Sequence, residues 1–365
     1  MKEQFHMIQY IHEGPTVLKR TLEKNSAAIQ SLSQSVHDRQ IMRVVICGLG
    51  SSYTAALMAA PVFNYHWPYK TMILPASELF YYKSRIMDER TLLIAVSRSG
   101  ERGVVVDVLR EILQAGGLGI AITGVEDSLL AKNSQFTLLT CEGEEKAFPK
   151  TKSVLASAGL LMALGCSLAN EDDLEARNRL EMLHRLPEEI GRTIIEIEPQ
   201  IPLLIPFIRE HDYVGVAGTG SNQGVALEAA IKIQEAAYIF TRGDSTAGWL
   251  HGPVGALHDR CLMIPMVMKD DQEISKKMLL LSRKFDAHIL CLQSPHLEMD
   301  EFCDCSLTIS ADVGSLLSAL VYLPPIQLIT YYWAVDQGLD PDKPRLMQPI
   351  LDAILPPNRE EPDRD

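Results

Sequence analysis

The strongest constraint on this chain is that its sequence repeats itself. Gly48-Leu-Gly-Ser-Ser-Tyr-Thr-Ala-Ala-Leu57 aligns with Gly218-Thr-Gly-Ser-Asn-Gln-Gly-Val-Ala-Leu227 at an offset of 170, and both glycines, the first serine, one alanine and the leucine coincide. Each copy follows a short apolar run, Arg43–Cys47 in the first and Tyr213–Ala217 in the second, and each leads into helix-forming sequence. Strand, tight turn and helix in that order open an α/β unit. The same offset sets Leu92–Ser97 on Leu262–Val267, another apolar run in register. Thr91–Val96, Gly119–Thr123 and Phe136–Thr140 read as further strands, and strands alternating with helices imply a parallel sheet covered on both faces. The expected fold is α/β: two duplicated, parallel-sheet, three-layer (flavodoxin-like) domains with a helical N-terminus and a C-terminal tail.

Domain limits follow from the change of pattern. Residues 1–40, with Val17, Leu18, Leu22, Ile29, Leu32 and Val36 at helical spacing, form an N-terminal helical segment. The first α/β domain takes 41–185 and the second 195–345, with the boundary near 185–195 inside the charged stretch from Asn170 to Pro199. Residues 346–365 are a polar, proline-interrupted tail.

Charge narrows the partners. The chain has 34 basic and 47 acidic side chains, a net charge of −13, which repels phosphate backbones and anionic lipid. Neither nucleic acid nor a membrane surface is expected, and any phosphate held here is a small one. Seven cysteines include no CxxC pair, and Cys303-Asp-Cys305 does not suit structural zinc. Reduced, mostly buried thiols, no metal, no cofactor and a cytoplasmic location are expected. The N-terminus lacks a basic region followed by an apolar core, so no signal peptide is expected. Gly314–Val335 is 22 residues without a charge, but Pro324-Pro325 lies in its middle, so two consecutive buried helices are expected rather than a membrane span.

Three groups of residues suggest chemistry. Ser51 and Ser52 after the first strand, and Ser97, Arg98 and Ser99 after the next, stand where helices begin. A helix N-terminus favours an anion, and neutral hydroxyl donors beside it suit a sugar phosphate held without metal. Single serines cap helices routinely, but here two such loops occur together, and in the first copy alone. No Walker sequence and no complete GxGxxG is present, which disfavours nucleotides. The second group is Glu228, Lys232 and Glu235, spaced i, i+4, i+7 on one helical face. Glu228–Lys232 reads as a surface ion pair, whereas Glu235 has the apolar neighbours Ile231, Ile233, Ala236 and Ala237, and could serve as a general base. The third is His251 in Trp249-Leu-His-Gly-Pro253, on a shaped loop; the residues alone leave packing and function both open.

Taken together, Cys47–Tyr53, Ala76–Leu79, Ser97–Glu101, Leu227–Glu235, Leu250–Pro253 and Asp340–Arg345 resemble, in order, the motifs of double sugar-isomerase (SIS) domain proteins. Over about residues 40–350 the chain is similar to the isomerase half of glutamine–fructose-6-phosphate aminotransferase and to the deglycases of 6-phosphorylated Amadori compounds. The resemblance implies that Ser52, Ser97 and Ser99 hold the phosphate and that Glu235 moves a proton between C1 and C2. It implies that Lys232 supports Glu235, and that His251 assists ring opening or the leaving group, often from a partner subunit. A homodimer with active sites at the subunit interface and a small-molecule sugar phosphate as substrate are the partners so implied.

The departures are as informative. Pro349 stands where the aminotransferase has a Schiff-base lysine, and Arg102 stands where the family often has threonine, putting a cation near the phosphate or a substrate carboxylate. A glutaminase half is also missing from this sequence, so no source of ammonia is expected. These differences favour cleavage of an amino-sugar (Amadori) 6-phosphate by a deglycase or deaminase. An aldose–ketose phosphosugar isomerase and a non-catalytic sugar-phosphate sensor are the alternatives.

Overall fold

The computed structural model of the chain describes residues 5–101, 103–170 and 172–345, with the backbone alone for 82–85. Arg102 and the tail 346–365, both singled out by sequence, lie outside the described residues. A long helix, α1 (His6–Asp38), precedes the first half, which runs β1 (Arg43–Gly48), α2 (Ser51–His66), β2 (Lys70–Pro75), α3 (Ala76–Ile86), β3 (Thr91–Val96), α4 (Val104–Gln114), β4 (Leu118–Thr123), α5 (Leu129–Asn133), β5 (Phe136–Leu139) and α6 (Lys152–Ser167). Helix α7 (Leu174–Ile197) crosses the span where sequence sets the domain boundary. The second half runs α8 (Ile201–Ile208), β6 (Tyr213–Gly218), α9 (Ser221–Ala236), β7 (Phe240–Asp244), α10 (Thr246–Leu250), β8 (Cys261–Val267), α11 (Gln272–Arg283), β9 (His288–Gln293), β10 (Cys305–Thr308) and α12 (Ala319–Asp336).

Sheet one has the order β2-β1-β3-β4-β5 and sheet two β10-β9-β8-β6-β7. Numbered within its own half, each is 2-1-3-4-5, and every pairing is parallel. The duplication read from the sequence is therefore a duplication of topology. Along the inner strands alternate residues serve opposite faces. Val44 and Ile46 of β1, with Leu262, Ile264 and Met266 of β8, join one core shared by the two halves. Val45 and Cys47 face a separate core against α3 and α4, and Cys261, Met263 and Val267 face a third. Helices α1, α2, α6, α7, α9 and α12 thus form a common layer between the sheets.

The repeated Gly-x-Gly-Ser has a mechanical reason. Gly50 and Gly220 precede α2 and α9 with φ of +52° and +59°, a left-handed conformation that an L side chain rarely adopts. One glycine earlier, a Cβ on Gly48 or Gly218 would approach the backbone of Ser52 or Asn222 to 2.9 or 2.5 Å. A single turn geometry thus starts both helices.

Where α2 and α9 cross, Gly224 lets them touch, because a Cβ there would come within 2.5 Å of the backbone nitrogen of Met58. Gly224→Ala is therefore expected to lower the unfolding free energy by about 1–3 kcal/mol in chemical denaturation, as overpacking does. Unchanged stability would mean that the two helices can separate freely.

The apolar stretch before the tail corrects the sequence reading. Residues 315–318 form a turn, and a single helix, α12, follows with both Pro324 and Pro325 inside it. Pro324 and Pro325 lack the N–H groups that would bond the carbonyls of Leu320 and Val321. Nearly every α12 side chain is buried, and that apolar burial outweighs the missing bonds. Among the described residues no helix is long and apolar enough to cross a membrane, and no cluster of metal-ligating side chains occurs.

Candidate functional site

In a 2-1-3-4-5 sheet the chain reverses its direction of build between the first and third strands, and the carboxyl ends of those strands frame a crevice. In sheet one these are the ends of β1 and β3. Ser51 and Ser52 open α2, both half-buried. Ser97 is half-buried and its hydroxyl oxygen accepts from the Gly100 N–H at 3.3 Å, while Ser99 is exposed. The two hydroxyl-rich loops therefore adjoin one another at the crevice.

The helix face from the second half arrives at the same place. Glu228 is fully buried, and its carboxylate accepts from the Ser51 hydroxyl at 3.0 Å and the Thr54 hydroxyl at 2.5 Å. Lys232 Nζ lies 3.6 Å from Glu228 and donates to Glu235. The reading of Glu228–Lys232 as a surface pair is thus wrong: the two side chains are 0% and 1% exposed. The sequence shows only their spacing on α9, and the cover comes from α2, more than 170 residues away. Burial opposes the charge on Lys232, but Glu235 and Glu228 outweigh it and raise the ammonium above the ordinary lysine value. Burial raises the Glu228 carboxyl, against the opposing pull of Lys232 and the Thr54 hydroxyl. Glu235, one turn further on, keeps a quarter of its side chain exposed and is the member of the set that a ligand can reach.

Sequence reasoning passed over the loop between β5 and α6, which closes this end of sheet one. Glu142 and Glu145 are buried, and Arg98 Nε stands 3.5 Å from a carboxylate oxygen of each. Arg98 is thus held behind its loop by two carboxylates. Glu145 also accepts from the Thr151 N–H at 2.9 Å and the Ser153 hydroxyl at 2.5 Å. Lys150 is half-buried and donates to the carbonyls of Glu145 and Ala147 at 3.0 and 2.7 Å. The signal available in the sequence was a run of charge, Glu142 to Lys152, between an apolar strand and an apolar helix.

The corresponding end of sheet two is filled by the chain itself. Asn222, in the place of Ser52, is fully buried and accepts from the Ser318 hydroxyl at 3.1 Å. Ser221 donates to the Leu316 carbonyl at 2.7 Å. The loop after β8 folds Asp271 inward, where it accepts from the Met268 N–H at 2.8 Å, and burial raises its carboxyl. A carboxylate therefore occupies the loop whose counterpart in sheet one is rich in serine.

His251 lies elsewhere. Trp249, fully buried, donates from Nε1 to the Val216 carbonyl at 3.0 Å and pins α10, leaving His251 exposed at its C-terminus. Parallel pairing sets Ala217 level with Asp244 and Tyr213 level with Phe240. Helix α9 packs through Val225, Ala229 and Ile233 into the core between the sheets, whereas Trp249, Val254 and Leu257, on either side of His251, pack into the outer core of sheet two. The fold brings Glu235, Lys232 and Ser51 together and sets the loop of His251 in the same chain on the opposite face of sheet two.

Comparisons with known proteins agree with this architecture. Residues 39–166 match the SIS domain family. The chain is 28% identical over 346 residues to a glutamine–fructose-6-phosphate aminotransferase (isomerizing) of Thermococcus kodakarensis, covering 93% of this chain and 56% of that protein. It spans little more than half the length of the curated relatives it matches. Among solved structures it resembles the C-terminal domain of glucosamine-fructose-6-phosphate aminotransferase from Francisella tularensis, with a TM-score of 0.82 at 19% identity over 94% of this chain and 99% of that one. It also resembles tagatose-6-phosphate ketose/aldose isomerase from Escherichia coli, with a TM-score of 0.79 at 18% identity over 97% of both chains. Residues 39–166 thus carry the SIS domain, and the second half repeats the strand order of that domain.

Proposed function

We propose that this chain is an enzyme that shuttles a proton between C1 and C2 of a sugar 6-phosphate, and that it cleaves the C–N bond of an amino-sugar (Amadori) 6-phosphate. The observation that carries the reading is the junction of the two halves. Ser51, at the anion-favouring start of α2, shares Glu228 with Lys232, which in turn holds Glu235. A phosphate at the loops of Ser51, Ser52, Ser97 and Ser99 thus places the rest of a short sugar toward the Glu235 carboxylate.

In the proposed reaction Glu235 takes a proton from C1 of the ketosamine and returns it to C2. The C1–N bond becomes an imine, and water hydrolyses it to an aldose phosphate and a free amine. No nucleophile from the protein is needed, because the substrate carries its own nitrogen. Exposed, and across sheet two from its own Glu235, His251 supports a further part of the reading: it serves the site of a second copy in a homodimer.

The test is a turnover assay on phosphorylated Amadori compounds, glucosamine 6-phosphate and fructose 6-phosphate. Release of an amino acid with glucose 6-phosphate is the expected result. Interconversion of fructose 6-phosphate with an aldose phosphate, and no amine release, would replace cleavage by isomerisation. Tight binding of all of them without turnover would overturn the enzyme reading in favour of a sensor.

A further inference from the structure

We propose that Lys150 carries the proton on the C2 oxygen of the substrate, opposite Glu235 at C1. This rests on the reading above, since it assigns a second proton carrier to the same site. Enolisation at C1 needs two partners: a base for the C1 proton and an acid for the oxygen that receives the electron pair.

Lys150 has the position for the second task. Its loop leaves the carboxyl end of sheet one, the end where the phosphate loops stand. Lys150 is bonded to the carbonyl of Glu145, whose carboxylate stands 3.5 Å from Arg98 of the phosphate loop, and the charges of Arg98, Lys232 and Glu235 act on the amine. Nζ uses two donors on the carbonyls of Glu145 and Ala147, at 3.0 and 2.7 Å. An ammonium has three, so one N–H is left for a further acceptor, and it becomes a lone pair when that proton leaves.

Lys152, two residues on, shows the contrast. It is 4% exposed, bonded to Glu13 at 2.7 Å and stacked 4.1 Å from the Tyr10 ring centroid, so its donors already serve the packing of α1. Burial moves the Lys150 amine below the ordinary lysine value; Glu145 and Glu235 oppose that and Arg98 and Lys232 add to it. A lysine so placed gives up its proton more readily than one in water.

The proton balance closes. As Glu235 removes the C1 proton, the C1–H pair becomes the C1=C2 bond and the C2 carbonyl pair moves to O2, which takes the Lys150 proton. Glu235 then protonates C2, and the nitrogen lone pair makes an iminium at C1 while O2 stays a hydroxyl. Water adds to C1, and the proton it loses returns to Lys150. The carbinolamine so formed collapses to aldehyde and amine with no net proton change.

The test compares wild type with Lys150→Gln and Lys150→Arg on the compound of the panel that wild type turns over. Glutamine keeps an N–H donor for the loop carbonyls, and arginine keeps the charge, but neither exchanges a proton in this range. Both variants should lose about 10²- to 10³-fold in kcat with KM changed little, within the range of general acid catalysis. Wild-type kcat should fall at alkaline pH, below the ordinary lysine range, and that limb should vanish in both variants. Wild-type kcat in Lys150→Arg would reduce the residue to a fixed charge and overturn the proposal, as would an unchanged limb in Lys150→Gln. A wild-type chain that turns over none of the panel would bring down the reading of the site, and this role with it.

Discussion

Glu235→Gln is expected to reduce turnover by about 10²- to 10⁴-fold, the range that a positioned general base contributes. Binding of the sugar phosphate should stay within a few-fold. The amide still accepts from Lys232 and has nearly the same volume, so the last turn of α9 keeps its place. What is lost is the capacity to hold a proton between C1 and C2. Because the side chain is a quarter exposed and its partner Lys232 retains Glu228, little stability should go with it. Hydrogen–deuterium exchange at C1 of bound substrate reads the step directly and should disappear together with turnover. A variant that exchanges and turns over at the wild-type rate would remove Glu235 from the chemistry and leave it as an ion-pair partner.

The parts of the structure legible in the sequence are those whose signal is local. Central strands such as β1, β3 and β8 are covered on both faces and so read as unbroken apolar runs. Strands β2 and β7 are edges. Lys70 is exposed and Thr71–Pro75 are half-buried, so the apolar run of β2 is short, Met72–Leu74, and Phe240–Asp244, with an Arg242–Asp244 pair at 2.8 Å, has none. The face of Glu228, Lys232 and Glu235 was visible as a spacing, but whether it lay in water or in the core was not. Ser51 and Thr54 decide that from 177 and 174 positions away. Lys150 was hidden in part for the same reason: beside its local partners Glu145 and Ala147, the charges that act on it come from Arg98, Lys232 and Glu235, none of them near it in sequence. Pro324-Pro325 misled in the other direction, because a local rule for breaking helices met a segment whose burial overrides it.

Lys232→Met should cost about 3–5 kcal/mol of unfolding free energy, the loss seen when one member of a buried ion pair is removed. Methionine fills much of the lysine's volume, so the loss comes from charge rather than from a cavity. Glu228 would remain fully buried with two hydroxyls, from Ser51 and Thr54, and no cation at 3.6 Å. Since α2 and α9 meet at this carboxylate, the strain falls on the contact between the two halves. Lys232 has a folded pKa above its unfolded value, so its contribution is complete below the unfolded lysine pKa and fades only as pH rises through the folded one. Glu228, raised by burial and now without the Lys232 charge that opposes this, takes up a proton more readily as pH falls, so the loss should be smaller at pH 6 than at pH 8. Adding Glu228→Gln should restore much of it, because a neutral amide accepts from both hydroxyls and needs no counter-charge. If the double variant proves as unstable as Lys232→Met alone, the lysine acts through its packed stem. If Lys232→Met unfolds like wild type, Glu228 is already protonated in the folded chain, and its two hydroxyl partners suffice to join the halves.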